Sequence, residues 1–255
     1  MSQLELKEIS VRFGGLKALS KLSFTIGNGR IVGLIGPNGA GKTTVFNVLT
    51  GVYQASEGDV IFDGESILGK RPYVIFDKGI ARTFQNIRLF SAMTAVENAM
   101  VARHCRSRTG VFGSILRTPS QRREEAFIRE KAMEALTFMG VDAYADTVAS
   151  NLSYGFQRRL EIARAIASEP KALLLDEPAA GMNPAETSEL MKDIARIKDL
   201  GIDVLLVEHD MRVVMGVCDH IVCVDHGVKI AEGNAQQIQN DPKVIEAYLG
   251  QPANQ

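Results

Sequence analysis

Residues 36–44 read Gly-Pro-Asn-Gly-Ala-Gly-Lys-Thr-Thr, and no other stretch restricts the fold so tightly. A short aliphatic run, Ile31, Val32, Leu34 and Ile35, precedes it, and Thr44 to Leu49 read as helix after it. The unit is therefore strand, glycine turn, helix. Glycines let the backbone wrap closely around an anion and aim its N–H groups inward, at the positive end of the following helix. Two glycines separated by four residues and followed by lysine and threonine fit the phosphate-loop pattern. Gly36, Asn38, Gly39, Ala40, Gly41, Lys42, Thr43 and Thr44 are the expected nucleotide-binding set. Lys42 can reach β- and γ-phosphates, and the Thr43 hydroxyl can take a place on Mg²⁺. The plainer alternative is a bare turn with Lys42 solvated. Such a turn needs neither the lysine nor the threonine, and a lysine near a helix N-terminus is slightly unfavourable.

A chain of 255 residues has room for one large domain or two small ones. Its net charge of -1 leaves no surplus of cations to neutralise many phosphates, so no nucleic-acid partner is expected. Met1 to Ser10 carries Glu5, Lys7 and Glu8 and holds no apolar stretch of signal-peptide length, and no segment approaches a membrane span. A cytoplasmic protein is expected. Cys105, Cys218 and Cys223 lack the paired spacing of a zinc site and read as reduced, buried thiols.

Strand-like spacing runs from Leu4 to Ile26 around a turn at Gly14-Gly15, with Phe13 just ahead of it. Phe13 is either an ordinary core aromatic or a stacking platform for a base. Asp59 to Phe62 reads as a strand entering a turn at Asp63-Gly64, and Ile80 to Gln85 as another strand with Gln85 at its end. Thr94 and Glu97 fit a capping box, opening a helix to about His104. The segment from Arg103 to Arg123 holds six arginines and no acid, and reads either as a solvated loop or as a docking surface for acidic groups. Glu124 to Met139 is an amphipathic helix closed by Gly140, and Leu152 to Ala167 another, stopped by Pro170.

Ala172 to Leu175 is a compact apolar run that ends in Asp176-Glu177. A buried central strand delivering two carboxylates suits a metal-nucleotide site: Asp176 to hold the metal, Glu177 to polarise the attacking water as general base. Asn183, Pro184 and Glu186 open the next helix by capping. Val204 to Val207 is a further buried strand, and His209 just beyond it can hydrogen-bond a γ-phosphate. Helix at Val213–Val217, strand at Ile221–Val224, a turn at His226-Gly227, strand at Val228–Ala231 and a helix from Pro242 through Tyr248 complete the chain.

Leu152-Ser153-Tyr154-Gly155-Phe156-Gln157-Arg158-Arg159-Leu160-Glu161 resembles the signature segment of ATP-binding cassette proteins. Phe13, the phosphate loop, Gln85, Asp176-Glu177 and His209 occur in that family's order, so the resemblance covers nearly the whole chain. It implies an α/β P-loop NTPase fold with a mixed, mostly parallel core sheet, an N-terminal antiparallel β subdomain and a helical subdomain inserted at roughly residues 86–160 of a single 1–255 domain. It also implies roles: Phe13 stacks adenine, Gln85 senses Mg²⁺ and the attacking water, Glu177 is the base, and His209 is the γ-phosphate switch. Ser153 and Gly155 would reach ATP held by the other cassette of a head-to-tail dimer. Tyr154, Phe156 and Asn183 depart from the commonest pattern. Together with Arg82 to Phe90 and Glu177 to Pro184, they resemble the LivG-type ATPases of bacterial branched-chain amino acid importers. That likeness implies an ATPase on the inner face of the plasma membrane, with integral-membrane permease subunits, a second ATPase subunit and, indirectly, a periplasmic solute-binding protein. A urea or amide importer, another transporter of this kind, or a soluble non-transport ATPase are the alternatives.

Overall fold

The computed structural model describes residues 3–104 and 119–249. Two sheets organise it. The first is antiparallel: β1 (Gln3–Phe13) and β2 (Leu16–Gly27) form a hairpin, β4 (Glu57–Phe62) lies on the other side of β1, and the short β5 (Glu65–Ser66) closes the edge. Phe13 ends β1 at the hairpin tip, paired with Leu16.

The second sheet has six strands, formed by β3 (Ile31–Ile35), β6 (Ile80–Arg82), β7 (Ala172–Asp176), β8 (Asp203–Val207), β9 (His220–Asp225) and β10 (Val228–Gly233). Their order is β10-β9-β3-β8-β7-β6, with only β10 antiparallel. Inner strands of such a sheet are covered on both faces, so they read as unbroken apolar runs. In β7 the alternate residues go to opposite sides. Leu173 and Leu175 join a core shared with the helices, whereas Leu174 faces the core beneath the antiparallel sheet.

The helices are α1 (Lys42–Leu49), α2 (Pro72–Lys78), α3 (Ala95–His104), α4 (Pro119–Phe138), α5 (Tyr154–Ala167), α6 (Pro184–Ile197), α7 (Met211–Val217), α8 (Ala235–Gln239) and α9 (Pro242–Leu249). Helices α3, α4 and α5 pack on one another through Ala99, Ala132, Leu136 and Ala163, all buried. The expected capping box forms at Thr94, where Glu97 Oε2 accepts the Thr94 N–H at 2.8 Å and Thr94 Oγ1 accepts the Glu97 N–H at 3.3 Å. A second box opens α6 at Asn183 and Glu186.

Several expectations change. Two short helices, α2 and α8, were not anticipated; Pro72 at the first helical position and the Asn234–Gln237 capping box were their signals. Strand β7 is the second strand from the sheet edge rather than its centre. Strand β6 stops at Arg82, so Gln85 lies three residues beyond it. Thr83 N–H still bonds Leu174 O at 2.9 Å, but the carbonyls of Phe84 and Gln85 are taken by the buried Arg158 guanidinium, each at 2.7 Å, and the chain leaves the sheet. The basic stretch is in part helical: Arg103 belongs to α3 and pairs with Glu169 at 2.6 Å, while Arg122 and Arg123 belong to α4. Arg106, Arg108, Arg117 and Cys105 lie outside the described residues. Cys218 and Cys223 are buried and free, and burial pushes both thiols up to about 12.

Candidate active site

Register alone gathers the expected residues. Asp176 of β7 pairs with Val207 of β8, and Val207 pairs with Leu34 of β3, so three strands end in one row. The chain leaves that row as the glycine loop from β3, as Glu177 from β7 and as Glu208-His209 from β8. Ligands of open parallel sheets bind at such carboxyl ends.

The loop encloses its own lysine. The Lys42 ammonium donates to Gly36 O at 2.5 Å and to Pro37 O at 3.0 Å. Burial lowers its pKa, while the charges of Glu177 and Asp176 pull it back up. Gly41 precedes α1 at φ +107, and a Cβ there would lie 2.7 Å from Leu19 Cδ2, so only glycine fits that bend.

Glu177 is the centre of the arrangement. Gln85 Nε2 donates to Glu177 Oε2 at 2.6 Å, and His209 Nε2 lies 3.2 Å from the same oxygen. Glu177 itself holds φ +48, which costs a non-glycine residue on the order of 1–3 kcal/mol. Its N–H is anchored to Val207 O at 2.9 Å, and this bond to the neighbouring strand holds the kink. Asp176 is nearly buried, and Arg82 Nη2 binds its Oδ2 at 2.9 Å. Arg82 also donates to Asn47 Oδ1 at 2.8 Å, and its guanidinium lies over the rings of Phe46 and Phe84. Next to His209, Glu208 is buried; its carboxylate accepts the Ala179 N–H at 2.9 Å, and burial raises its pKa.

Phe13 is 44% exposed, which removes the core-aromatic alternative, and its ring meets Tyr53 edge-on at 5.1 Å. Ser153 stands at the N-cap of α5 without a capping bond from its side chain, and Gly155 lies beside Glu186. Among the described residues neither hydrogen-bonds to Glu177, Gln85 or His209; Ser153 caps the signature helix and Gly155 lies in its first turn. Tyr154 links that helix to the loop after Glu177: its hydroxyl donates to Ala180 O at 2.8 Å and lies 3.3 Å from Arg158 Nη2. Arg82, Tyr53, Arg158 and Glu208 were not singled out from sequence. Arg82 was visible within the 82–90 run, but nothing in its spacing says that it would reach Asp176 across the sheet.

The family described as "ABC transporter" matches residues 19–180, nearly two thirds of the chain. The chain belongs to the ABC transporter family. The C-terminal end of this cassette, residues 228–254, matches a second family, described as "Branched-chain amino acid ATP-binding cassette transporter". The high-affinity branched-chain amino acid transport ATP-binding protein BraF of Pseudomonas aeruginosa is 47% identical over 249 residues, covering 97% of this chain and 98% of that protein. LivG of Escherichia coli, described in the same words, is 46% identical over 254 residues, covering 98% of the cassette and 100% of its relative. A solved ABC transporter cassette in its ADP conformation superposes with TM-score 0.84 at 33% identity, covering 98% of this chain and 100% of that one. A nucleotide-free cassette does so with TM-score 0.84 at 34% identity, over 98% and 100%. The α/β cassette fold and nucleotide binding follow from this membership.

Oxygen donors of the kind Mg²⁺ takes are present at the three expected positions. Thr43 Oγ1, the second oxygen of Asp176 and the Gln85 amide oxygen are all hard donors. Among the described residues no cluster of three or more His, Cys, Asp or Glu could hold a metal unaided. Mg²⁺ in phosphoryl-transfer sites is held by one or two carboxylates together with substrate phosphates and water, so a single carboxylate such as Asp176 beside a phosphate loop is enough.

Proposed function

We propose that this cassette is the ATP-hydrolysing subunit that powers uptake of branched-chain amino acids through separate permease subunits. The observation that carries the chemistry is the meeting of Gln85 and His209 on the Glu177 carboxylate beside the lysine loop. The solute reading rests on the BraF and LivG likeness.

In this reading residues 1–255 form one ATPase domain, with roughly 86–160 as its helical insertion. The loop amides from Gly39 to Thr44 and the Lys42 ammonium hold the β- and γ-phosphates, and Phe13 stacks the adenine. Thr43, Asp176 and Gln85 hold Mg²⁺, which when bound neutralises phosphate charge. Glu177 takes the proton of the attacking water. Gln85 fixes the orientation of that carboxylate, and His209, which rests against it in the free protein, turns its N–H to the γ-phosphate once ATP is bound. Ser153 and Gly155, with the N–H groups that begin α5, close over ATP held by a second cassette.

Membrane partners have a surface to meet. An apolar groove of about 470 Å³ runs between α2 and α3 and is lined by Tyr73, Phe76, Phe84, Phe90, Val101 and Arg164. Tyr73 and Phe90 are exposed on it, and Phe84 adjoins Gln85, so a permease seated there would bear on the catalytic cluster. Among the described residues no helix is long and apolar enough to cross a membrane; the permease is assigned to other chains because BraF and LivG are described as the ATP-binding proteins of their transport systems.

The test is to extract the protein from native membranes in mild detergent, identify its companions, and reconstitute the complex in vesicles. ATP-dependent uptake of leucine or isoleucine, absent without this chain, is the expected result. Uptake of urea or an amide instead, or recovery of the protein free of any permease, overturns the reading.

A further inference from the structure

The C-terminal helix reaches the nucleotide site. Helix α9 starts after Asp241, whose Oδ1 accepts the Lys243 N–H at 2.8 Å and whose carbonyl accepts the Ile245 N–H at 3.0 Å. Val244 is buried beneath it, so the helix is fastened to the body of the protein. Four residues on, the Tyr248 hydroxyl accepts the Gly36 N–H at 2.9 Å across 212 positions of chain.

Gly36 opens the phosphate loop, and both ends of its peptide hydrogen bonding are now in use: N–H to Tyr248, carbonyl to Lys42 Nζ at 2.5 Å. Its third neighbour is β9. With φ at +151, a Cβ on Gly36 would fall 2.0 Å from Val224 O, so the backbone can approach that strand only as glycine. The residue that anchors Lys42 is thus held between β9 and α9. Burial pushes the Tyr248 phenol up to about 12, so the hydroxyl stays protonated across the physiological range. The segment that supplies this contact lies inside the stretch matching the branched-chain-specific family, outside the general cassette match.

We propose that Tyr248 is a positioning residue for the phosphate loop, through which the C-terminal helix sets the loop's geometry and its grip on a triphosphate. The inference rests on the reading of residues 36–44 as the ATP site. Gly36 offers no free N–H to the ligand. The effect of Tyr248 therefore runs through Lys42 and the amides that follow it, a loop shaped in advance so that less ordering is left for binding to supply.

The experiment uses the full chain and Tyr248→Phe, which keeps the ring and removes only the hydroxyl. Dissociation constants for Mg-ATP and for inorganic tripolyphosphate are measured by calorimetry, alongside thermal unfolding of the ligand-free proteins. Loss of one hydrogen bond that shapes the site should weaken both ligands by the same factor, about three- to tenfold. A folded variant that binds both within about twofold of wild type overturns the role of Tyr248, even if its melting temperature falls. Wild-type protein that binds neither ligand overturns the phosphate-site reading, and this proposal with it. A second readout needs no variant: the Gly36 amide should exchange slowly in the ligand-free wild type, and fast exchange there also overturns the proposal.

Discussion

His209 Nε2 and Glu177 Oε2 lie 3.2 Å apart, and the Gln85 amide reaches the same oxygen at 2.6 Å. Two nitrogens on Oε2 leave Oε1 as the oxygen with lone pairs to offer an attacking water. Glu177→Gln should therefore keep ATP affinity while turnover falls by about 10²–10⁴, the range of a lost general base. Steady-state phosphate release beside equilibrium ATP binding measures both. Turnover equal to wild type would dismiss Glu177 as the base.

Glu208 next to this cluster makes stability depend on pH. Burial raises its folded-state pKa above the ordinary carboxylate value of about 4.3. The folded protein then holds the Glu208 proton more tightly than the unfolded chain does. That contribution is fully present below about pH 4.3 and is lost as pH rises through the raised folded value. Glu208→Gln stays neutral and keeps an oxygen for the Ala179 N–H. Its melting temperature relative to wild type should climb steadily as the pH rises from the ordinary carboxylate range toward neutrality. A difference that stays flat over that interval contradicts the raised pKa.

Local chemistry made much of this molecule readable in advance. Strand runs covered on both faces, the Gly14-Gly15 turn, and the Thr94–Glu97 and Asn183–Glu186 boxes each declare themselves within a few residues. Contacts made across the sheet do not. Arg82 on Asp176 joins positions 94 residues apart, and Arg158 on the Gln85 carbonyl joins positions 73 apart. No pattern of neighbours encodes either pair. The end of β6 illustrates the cost: three residues of apparent strand belong to a loop, where a distant arginine takes the carbonyls of the last two, Phe84 and Gln85.

That arginine also gives a stability prediction. Arg158 and Glu161 form an ion pair at 2.8 Å with both side chains essentially buried, and Glu161 Oε1 accepts the Arg88 N–H at 3.1 Å. Arg158→Met leaves the Glu161 charge buried without its cation, a loss of about 3–5 kcal/mol. Urea denaturation should show it, and adding Glu161→Met should recover much of the loss, since two apolar side chains need no partner. The single variant should also turn over ATP slowly, because the carbonyl that positions Gln85 is released. Unchanged unfolding in the single variant would mean that the pair is solvated.

Phe13 provides a test of how the base is held. The ring stands at the tip of the β1–β2 hairpin, braced edge-on by Tyr53 with the planes at 72°, and the residue is 44% exposed. Stacking of a base on such a ring is worth about 1–3 kcal/mol and needs no hydrogen bond. Phe13→Ala should weaken ATP by about five- to a hundredfold while leaving inorganic tripolyphosphate unchanged, since the phosphates are held elsewhere. Tyr53→Ala, which removes only the brace, should produce a smaller loss of the same kind. If ATP and tripolyphosphate weaken equally in Phe13→Ala, the ring is shaping the loop through the hairpin rather than stacking a base.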